Sequence, residues 1–382
     1  MRIAIVRGAN LNKWEMQNYE PLLERHEMVA YTDTRHKYDL STIKIPIRRL
    51  PYLPEQAHLE YLVGLEEELV EFDVVFTADT VYAYSYQTIK AKERGGMKVV
   101  VHIAENIPFN YEINPMNYGL PPYARRNEFR EEVRRKADFF IPITERAKQA
   151  LIFEGVPEEK IRVIPWGVDL ERFRPQSKPS EEVLNSFGLS GKDIVILYLG
   201  RFDWPRGVYD LIYATRELID DDELKKYSLK VLFVGQGEEF EGMKWLVAKL
   251  SLERTIVFLE KCPYEKIHRL YNLGDIFIFP SIPTRYIKEQ FGLAIVEAMA
   301  CGIPVISTLC GSISEVVDDA GILAQPNDPL SLYGAMKELI LNEGLRRRLG
   351  KIGEKRAVDN FDAKKNAEMI EDVFNEVLKG IK

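Results

Sequence analysis

The sequence predicts an α/β protein built from two doubly wound domains, each a parallel sheet covered by helices. Three observations lead to this prediction. Short β-rich runs alternate with helical stretches along the whole chain, and a polar segment with two prolines divides the chain near its middle. The length of 382 residues is long for one hydrophobic core and sufficient for two.

Six runs in each half of the chain are rich in branched and aromatic residues and are predicted to be strands. In the first half they are Ile3–Val6, Met28–Tyr31, Val74–Thr77, Lys98–His102, Phe139–Ile143 and Arg162–Pro165. In the second half they are Ile194–Leu199, Lys230–Val234, Thr255–Leu259, Ile276–Phe279, Val305–Ser307 and Ile322–Ala324. Because helical patterns separate these runs, we expect the sheets to be parallel.

The domain boundary is predicted near residue 172, which gives an N-terminal domain over 1–172 and a C-terminal domain over 173–362. The polar segment Arg174–Ser180 favours an extended connection and is the expected hinge region. Two long helices follow, Leu330–Leu341 and Lys364–Leu378. The last one, within about residues 363–382, has an apolar face that we expect to pack back on the N-terminal domain. Its apolar positions are Ala367, Ile370, Val373, Phe374 and Val377.

Composition narrows the class of partner. Hydrophobic residues make up 46% and charged residues 29% of the chain, which is typical of a folded protein. The net charge of −7 gives no electrostatic drive toward nucleic acid, so no nucleic-acid partner is expected. Cys262, Cys301 and Cys310 lack the spacing of a disulfide framework or a zinc site.

The sequence favours a cytoplasmic location. It runs directly into a predicted strand without the apolar region of a signal peptide, and no apolar run approaches membrane-spanning length. The segment Tyr123–Lys136 is basic on balance and helical in character, which raises the alternatives of peripheral membrane contact and of a solvated surface helix. Its three glutamates favour the solvated helix.

Two carboxylates, Glu289 and Glu297, stand seven residues apart around a predicted helix start. Gly292 breaks the pattern and helix formers continue from Leu293, so Glu289 is expected in a loop and Glu297 two turns inside the helix. The amides of Phe291, Gly292 and Leu293 can face an anion at such a helix start. The carboxylates could then accept hydrogen bonds from sugar hydroxyls on either side. The alternative is an amphipathic helix with solvated glutamates.

A second loop carries two guanidinium groups. Arg201 and Arg206 follow the strand that ends before Gly200, and arginine offers a charged fork that matches phosphate oxygens. Two such groups suit a diphosphate, whose negative charge grows as it departs. Two surface arginines in a loop are the alternative interpretation.

Several tracts in one order carry a family resemblance. They are Ala137–Glu145, Ile164–Phe173, Gly200–Gly207, Pro280–Ser281, Glu289–Pro304, Gly311–Val316 and Ala320–Ala324. Together they resemble the GT-B-fold retaining glycosyltransferases of family four, from about Val99 to Phe361 and only thinly before that. The resemblance implies a GT-B architecture, with two Rossmann-like domains facing each other across a cleft.

The resemblance also implies roles for individual residues. Glu297 would hold the donor ribose, Arg201 with Arg206 the diphosphate, and Glu289 with the following amides the donor sugar. Gly200 and Gly8 lie at the corresponding strand ends and complete the donor-binding set. His102 matches the family histidine near the reacting centre, although a single histidine at a strand end is more often a packed or capping residue.

Some positions depart from the family pattern. Arg206 stands where relatives usually have lysine, Gly8 stands where they often have a glycine pair, and Trp166 replaces a small polar residue. Gln290 takes a usual glycine position, and Arg285 and Lys288 add two cations beside the donor-sugar site. Diphosphate binding is expected to survive the first change because the positive charge is kept.

The expected reaction is transfer of a sugar from a UDP-, GDP- or ADP-sugar to a carbohydrate or lipid-linked acceptor, with retention of configuration. No Asp-x-Asp follows a strand, so no metal or other cofactor is expected. In that reaction His102, Glu289, Arg201 and Arg206 are the expected catalytic residues. The alternatives are a sugar-nucleotide epimerase of the same architecture and a sugar-nucleotide-binding protein without turnover.

Overall fold

The computed structural model describes residues 1–35, 38–53, 61–110, 121–177, 179–259 and 262–380. The chain forms two compact units, one of Met1–Gly167 with Ala363–Lys382 and the other of Val168–Asp362. The first crossing between units thus follows Gly167, whereas the sequence placed it after residue 172. The expected hinge segment lies inside the second unit, where the amide of Gln176 donates to Asn272 Oδ1 at 2.8 Å.

The first unit contains a parallel sheet of six strands in the order β3-β2-β1-β4-β5-β6. The strands are β1 (Arg2–Val6), β2 (Glu27–Asp33), β3 (Ile47–Leu50), β4 (Val74–Ala78), β5 (Lys98–Ile103) and β6 (Phe139–Pro142). In the described part of its first 167 residues, the α-helices are α1 (Lys13–Met16), α2 (Leu65–Leu69), α3 (Ala83–Gly95), α4 (Pro121–Lys136) and α5 (Glu145–Phe153). Strands β2 and β3 are added on one side of β1, and β4, β5 and β6 are added on the other side. The topological switch point of this sheet therefore lies between β1 and β4.

The second unit repeats this arrangement, because its parallel sheet has the order β9-β8-β7-β10-β11-β12. The strands are β7 (Asp193–Leu199), β8 (Ser228–Val234), β9 (Ile256–Leu259), β10 (Ile276–Phe279), β11 (Val305–Thr308) and β12 (Gly321–Ala324). The helices are α6 (Glu181–Ser186), α7 (Val208–Asp220), α8 (Phe240–Lys249), α9 (Ile267–Tyr271), α10 (Leu293–Ala300), α11 (Ile313–Val317), α12 (Pro329–Leu341) and α13 (Glu343–Asn360). The topological switch point lies between β7 and β10.

The predicted α/β class and the parallel sheets are confirmed, with two differences in strand assignment. Arg162–Pro165 is not a strand, although the amides of Arg162 and Ile164 donate to the carbonyls of Phe140 and Pro142. Pro142 has no amide hydrogen to donate back, so the pairing stops at a single bridge between Phe140 and Ile161. The strand β3 was missed because two arginines occupy its centre, as an exposed edge strand allows.

The terminal helix α14 (Ala363–Lys379) completes the core of the first unit. Its five predicted apolar positions are all buried, and they pack with Ile3, Ile5 and Phe76 from the central strands. Burial of this apolar stripe against the sheet stabilises the helix, whose other faces carry polar residues. Residues 381–382 of the predicted helix lie outside the described residues. The second unit has a separate core around β7, β8, α7 and α12.

Candidate functional site

Two loops of the second unit meet at the switch point of its sheet. One loop, Gly200–Gly207, follows β7, and the other, which runs from Pro280 to Gly292, follows β10. In open parallel sheets the helices that leave two such strands cover opposite faces, and a crevice opens beyond the strand ends. The carboxyl ends of β7 and β10 therefore mark the place where a ligand of this unit is expected.

Glycines allow the loops around this point to approach each other closely. Gly207 has a φ of +67°, and a Cβ added there would lie 1.9 Å from the carbonyl oxygen of Pro280. Gly311 has a φ of +60°, and its Cβ would lie 2.1 Å from the carbonyl oxygen of Glu289. A side chain at either position would clash with backbone atoms as well as strain the turn. These two glycines therefore set the position of the loop that carries Glu289.

Arg206 and Glu289 form an ion pair that joins the two loops. Their side chains are 25% and 13% exposed, respectively. The hydroxyl of Ser281 donates to Glu289 Oε2 at 3.3 Å, and the Arg206 guanidinium lies 5.4 Å from the centre of the Phe279 ring. Burial alone would lower the pKa of Arg206, but the Glu289 carboxylate, together with Tyr198 and Asp203, outweighs burial and the pKa is raised. A fixed positive charge thus lies beside a fixed negative charge at the strand ends.

Arg201 and Gly200 occupy the start of the same loop in a different setting. The side chain of Arg201 is 72% exposed, and its Nη1 lies 3.1 Å from Asp203 Oδ2. Its backbone carbonyl accepts a hydrogen bond from the buried Tyr198 hydroxyl, and the amide of Gly200 donates to the carbonyl of Val234 at 3.1 Å. The backbone of the loop is therefore fixed while the Arg201 guanidinium stays at the solvent surface.

The helix α10 starts at Leu293, as the sequence predicts, and Glu289 lies in the loop before it. Gly292 caps the helix with a φ of +84°, and Phe291 is buried with its ring 5.7 Å from that of Phe361. The first amides of a helix have no partner within the helix and carry its positive end. The predicted anion-facing amides of Phe291, Gly292 and Leu293 therefore lie at this helix start.

Glu297 is buried, so the interpretation of a solvated glutamate is wrong for this residue. It is the fifth residue of α10, about one turn inside the helix rather than two, and it is 3% exposed. Its Oε1 accepts a hydrogen bond from the Tyr264 hydroxyl at 2.7 Å, and its Oε2 accepts one from the Tyr271 hydroxyl at 2.6 Å. Burial raises the pKa of Glu297 to about 7, against the opposing effect of the two tyrosines.

Sequence reasoning missed these two tyrosines and their neighbour Arg172. Tyr264 precedes α9 in a short 3-10 turn, and Tyr271 is the last residue of α9. The guanidinium of Arg172 lies 4.5 Å from the centre of the Tyr264 ring. No spacing in the sequence links residues 264 and 271 to Glu297, because the contacts depend on how α9 packs beside α10.

In the first unit, Gly8 follows β1 and is buried beside a charged residue. Its φ is +51°, and its carbonyl accepts a hydrogen bond from the Thr32 hydroxyl at 2.7 Å. The buried Arg7 donates from Nε to Glu15 Oε1 at 2.6 Å and from Nη2 to the Tyr19 hydroxyl at 3.1 Å. A buried ion pair thus lies directly beside Gly8 at the end of β1.

His102 lies inside β5 and is 3% exposed. Its ring stacks on Trp166 with the ring centres 5.5 Å apart, and the edge contact to Phe76 spans 5.9 Å. Burial and the charge of Arg7 hold the pKa of His102 well below its usual value, so the ring is neutral. Within its own unit, His102 is a packed residue covered by the tryptophan that departs from the family pattern.

A carboxyl group that the sequence did not single out lies at the end of β4. Asp79 has a φ of +47°, unusual for a residue other than glycine, and its Oδ1 accepts the amides of Ala104 and Glu105 at 3.1 and 3.3 Å. Burial and the nearby Glu105 carboxylate raise the pKa of Asp79 to about 6. Asp79 therefore holds the loop that follows β5 at the carboxyl edge of this sheet.

The basic helix α4 directs its described basic side chains to carboxylates. Arg130 pairs with the buried Glu154, and Arg134 Nη1 lies 3.2 Å from the same carboxylate. Arg135 and Lys136 both pair with Glu132 at 2.5 Å. These contacts favour the solvated helix over a free cationic surface. The side chains of residues 121–126 lie outside the described part.

No described helix combines the length and the apolar character that crossing a membrane requires. Among the described residues, no group of three or more His, Cys, Asp or Glu side chains is placed to hold a metal ion.

Comparison with known proteins identifies the class. Residues 19–172 match the family described as Glycosyltransferase Family 4, and residues 179–356 match the family described as Glycosyl transferases group 1. Anabaena Alr3699/HepE in complex with UDP-glucose superimposes with a TM-score of 0.79 at 19% identity, covering 98% of this chain and 100% of that one. The sucrose-phosphate synthase of Thermosynechococcus elongatus gives 0.78 at 20% identity and 99% coverage of both chains.

Curated relatives match over part of their length. The D-inositol 3-phosphate glycosyltransferase of Corynebacterium jeikeium is 32% identical over 251 residues, which cover 63% of this chain and 58% of the relative. The N-acetyl-alpha-D-glucosaminyl L-malate synthase of Bacillus anthracis is 28% identical over 200 residues, which cover 52% and 49%. The chain therefore spans about half to three-fifths of the length of these relatives.

The fold and the two family matches define a protein of the GT-B class, with two Rossmann-like units. The chain belongs to the GT-B glycosyltransferases of the family 4 type.

Proposed function

We propose that this chain is a glycosyltransferase that moves a sugar from a nucleoside-diphosphate sugar to an acceptor hydroxyl. One observation carries the proposal: the Arg206–Glu289 ion pair lies at the switch point just before α10, and Glu297 is buried one turn inside that helix. This arrangement offers a cation, a helix start and two carboxylates within one loop and helix. In a nucleoside-diphosphate sugar, the phosphates can bind the cation and the helix start, and the hydroxyls can donate hydrogen bonds to the carboxylates.

The diphosphate would bind between the arginines and the start of α10. Arg206 is largely buried and positioned by Phe279 and Glu289, so it can contact a phosphate with little loss of side-chain freedom. Arg201 is exposed and would close on the diphosphate from the solvent side. The amides at Phe291, Gly292 and Leu293 add the positive end of the helix.

The hydroxyl groups of the donor would be divided between the two carboxylates. Glu297 would accept hydrogen bonds from the ribose, and Glu289 would steady the donor sugar. Because the Glu289 carboxylate is paired with Arg206, diphosphate binding at Arg206 weakens that pair and frees the carboxylate for the sugar. Phosphate binding and sugar binding would therefore support each other.

We propose that transfer retains the anomeric configuration and needs no metal. The bond between the anomeric carbon and the diphosphate oxygen breaks, and its electron pair leaves with the diphosphate. The acceptor oxygen forms a bond to the same carbon from the same face, and its proton passes to the leaving phosphate oxygen. Arg201 and Arg206 stabilise the charge that grows on that group, which is the support for a metal-free reaction.

For the first unit we propose a more limited role for the two residues that the sequence predicted there, His102 and Gly8. His102 lies in β5 and Gly8 follows β1, with β4 between these two strands, and His102 is covered by Trp166 and is neutral. This burial favours a role in positioning the strand end over direct contact with the donor. A His102→Asn variant that keeps its melting temperature and loses transfer would restore the direct role.

The first test is a thermal-shift screen of the full chain against UDP, GDP and ADP and their glucose conjugates. UDP is the first choice because HepE was crystallised with UDP and with UDP-glucose. A ligand that binds only the folded state raises the melting temperature by mass action. If none of these nucleotides raises it, the proposed function is wrong.

One variant and two incubations then separate the alternatives. Arg201→Ala should weaken calorimetric binding of the preferred nucleoside diphosphate, and an unchanged affinity would remove Arg201 from the phosphate site. Proton NMR of the donor incubated alone would reveal an epimerase, whereas slow hydrolysis of the donor would argue against a binding protein without turnover. Transfer activity should persist in EDTA if the reaction is metal-independent.

The acceptor is proposed to be a carbohydrate or a lipid-linked sugar. The described basic side chains of α4 pair with carboxylates. We therefore propose that a lipid-linked acceptor reaches the site without membrane binding by these side chains. Co-sedimentation with vesicles of neutral lipid and of one-third anionic lipid tests peripheral contact. Binding that increases with anionic lipid would show that α4 or its neighbours contact the surface.

A further inference from the structure

The carboxylate of Glu297 has one tyrosine hydroxyl on each oxygen, and the two tyrosines differ in exposure. Tyr271 is 0% exposed, and its ring lies 5.5 Å from that of Phe277 and 6.0 Å from that of Phe173. Tyr264 is partly exposed, in a short 3-10 turn that follows β9. One hydroxyl is therefore fixed in the core, while the other reaches its carboxylate from the surface.

This difference defines the approach to Glu297. Glu297 is 3% exposed, and Tyr264 is the partly exposed one of its two tyrosine partners. A ligand hydroxyl that approaches Glu297 Oε1 from the side of Tyr264 meets the Tyr264 hydroxyl, which lies 2.7 Å from that oxygen. The Arg172 guanidinium, 4.5 Å from the centre of the Tyr264 ring, packs beside this side chain on the same approach.

We propose that Tyr264 is a displaceable cap, whose hydroxyl occupies the position on Glu297 that a ribose hydroxyl takes when a nucleoside diphosphate binds. The inference rests on the proposed function, because it assigns the ribose to Glu297. Tyr271 keeps its hydrogen bond to Oε2 in both states and holds the carboxylate in orientation. Tyr264 gives up its bond and its hydroxyl turns to water, which its partial exposure allows.

The cap makes nucleotide binding an exchange of hydrogen bonds. Where Glu297 is ionised, above its pKa of about 7, the ribose gains a bond to a charged acceptor and the protein loses one of the same kind. The ribose hydroxyls therefore contribute little net affinity in the wild-type chain. Removal of the Tyr264 hydroxyl leaves Oε1 without that partner in the unliganded protein only. The unliganded state is then destabilised, and the affinity for a ribonucleotide increases.

The test is calorimetric titration of three variants with UDP, or with GDP or ADP if one of these binds better, and with its 2′,3′-dideoxy form. Tyr264→Phe keeps the ring and removes the hydroxyl. Tyr271→Phe removes the fixed hydroxyl from the same carboxylate. Tyr333→Phe is the matched control, since the Tyr333 hydroxyl donates to a different carboxylate, Asp221 Oδ2, at 2.6 Å. Melting temperatures of all variants check that each one folds.

We expect Tyr264→Phe to tighten UDP binding by about tenfold, the effect of one hydrogen bond to a charged group, and to leave dideoxy-UDP binding unchanged. Tyr333→Phe should change neither, and Tyr271→Phe should not tighten either. An unchanged or weaker UDP affinity of Tyr264→Phe would overturn the cap, as would an equal gain in Tyr271→Phe. If Tyr264→Phe does not fold, Tyr264→Leu serves the same comparison. No binding of any nucleoside diphosphate by the wild-type chain would instead overturn the proposed function, and the cap with it.

Discussion

Arg206 and Glu289, which are 83 residues apart in the chain, form an ion pair across the switch point of the second sheet. The loop after β7 supplies the cation, and the loop after β10 supplies the carboxylate. Glu289 is the largest attractive charge acting on Arg206, and each of the two groups is also a proposed ligand contact. A substitution at either position should therefore affect two steps, binding of the diphosphate and positioning of the sugar, in different ways.

Replacement of Glu289 by glutamine should separate these two steps. The variant loses the negative charge that competes for Arg206, so calorimetric affinity for UDP should stay equal or increase. Sugar transfer should fall by about a hundredfold, because the contact that steadies the donor sugar is weakened. Full transfer activity with an unchanged melting temperature would show that Glu289 has no part in the reaction.

At Arg206 the charge is expected to matter more than the shape. Arg206→Lys keeps a positive group and should reduce UDP affinity by less than about tenfold. Arg206→Gln keeps a polar side chain without the charge and should reduce it by about ten- to a hundredfold. Calorimetric titration with UDP measures the three affinities, with each protein concentration corrected for its folded fraction. Equal affinities for all three proteins would place the diphosphate elsewhere.

The burial of Glu297 predicts a pH dependence of stability. The pKa of this group is about 7 in the folded chain and near 4.5 when unperturbed, so the folded state binds the proton more tightly. The stabilising effect of protonation is complete below the lower pKa and is lost as pH rises through the higher one. Relative to the wild type, Glu297→Gln should therefore gain on the order of 3 kcal/mol in unfolding free energy between about pH 4 and about pH 8.

Urea denaturation across that pH range measures this difference. Glu338→Gln is the control, because Glu338 is an exposed glutamate on α12. Its difference from the wild type should stay nearly constant with pH. A constant difference for Glu297→Gln as well would mean that Glu297 is ionised in the fold without a penalty.

Two glycines beside the site should resist substitution, and a third should not. Gly207→Ala and Gly311→Ala would each place a Cβ within about 2 Å of a backbone oxygen at a positive φ, so each should lower the unfolding free energy by at least about 2 kcal/mol. Gly334 lies inside α12 with no atom within 4 Å of an added Cβ. Gly334→Ala should therefore stabilise the chain by about 0.5–1 kcal/mol.

Thermal or urea denaturation of the three variants tests this ranking. The two site variants should also bind UDP more weakly, because Gly311 contacts the backbone of Glu289 and Gly207 that of Pro280. If Gly207→Ala or Gly311→Ala matched Gly334→Ala in stability, the close approach of the two loops would be wrong.

Local features of this protein could be predicted from the sequence alone. The alternation of β-rich and helical runs predicted the α/β class and eleven of the twelve described strands. Gly292, followed by helix-forming residues, predicted the start of α10. Glycine adopts a positive φ easily, and the chain can therefore change direction there before the helix begins. The period of apolar residues in α14 predicted its buried face. Each of these depends on residues within one or two turns of each other.

The tertiary structure decided which of the candidate residues share an environment. Arg206 and Arg201 come from one loop, yet the first is paired with Glu289 and the second is exposed. Glu297 was expected to be either solvated or a ligand contact, and it is buried between two tyrosines that no motif marks. The sequence by itself determined the elements, since their periods are local. Strand order and helix packing decided the partners, because contacts between distant segments form only when the sheet brings their ends to one edge.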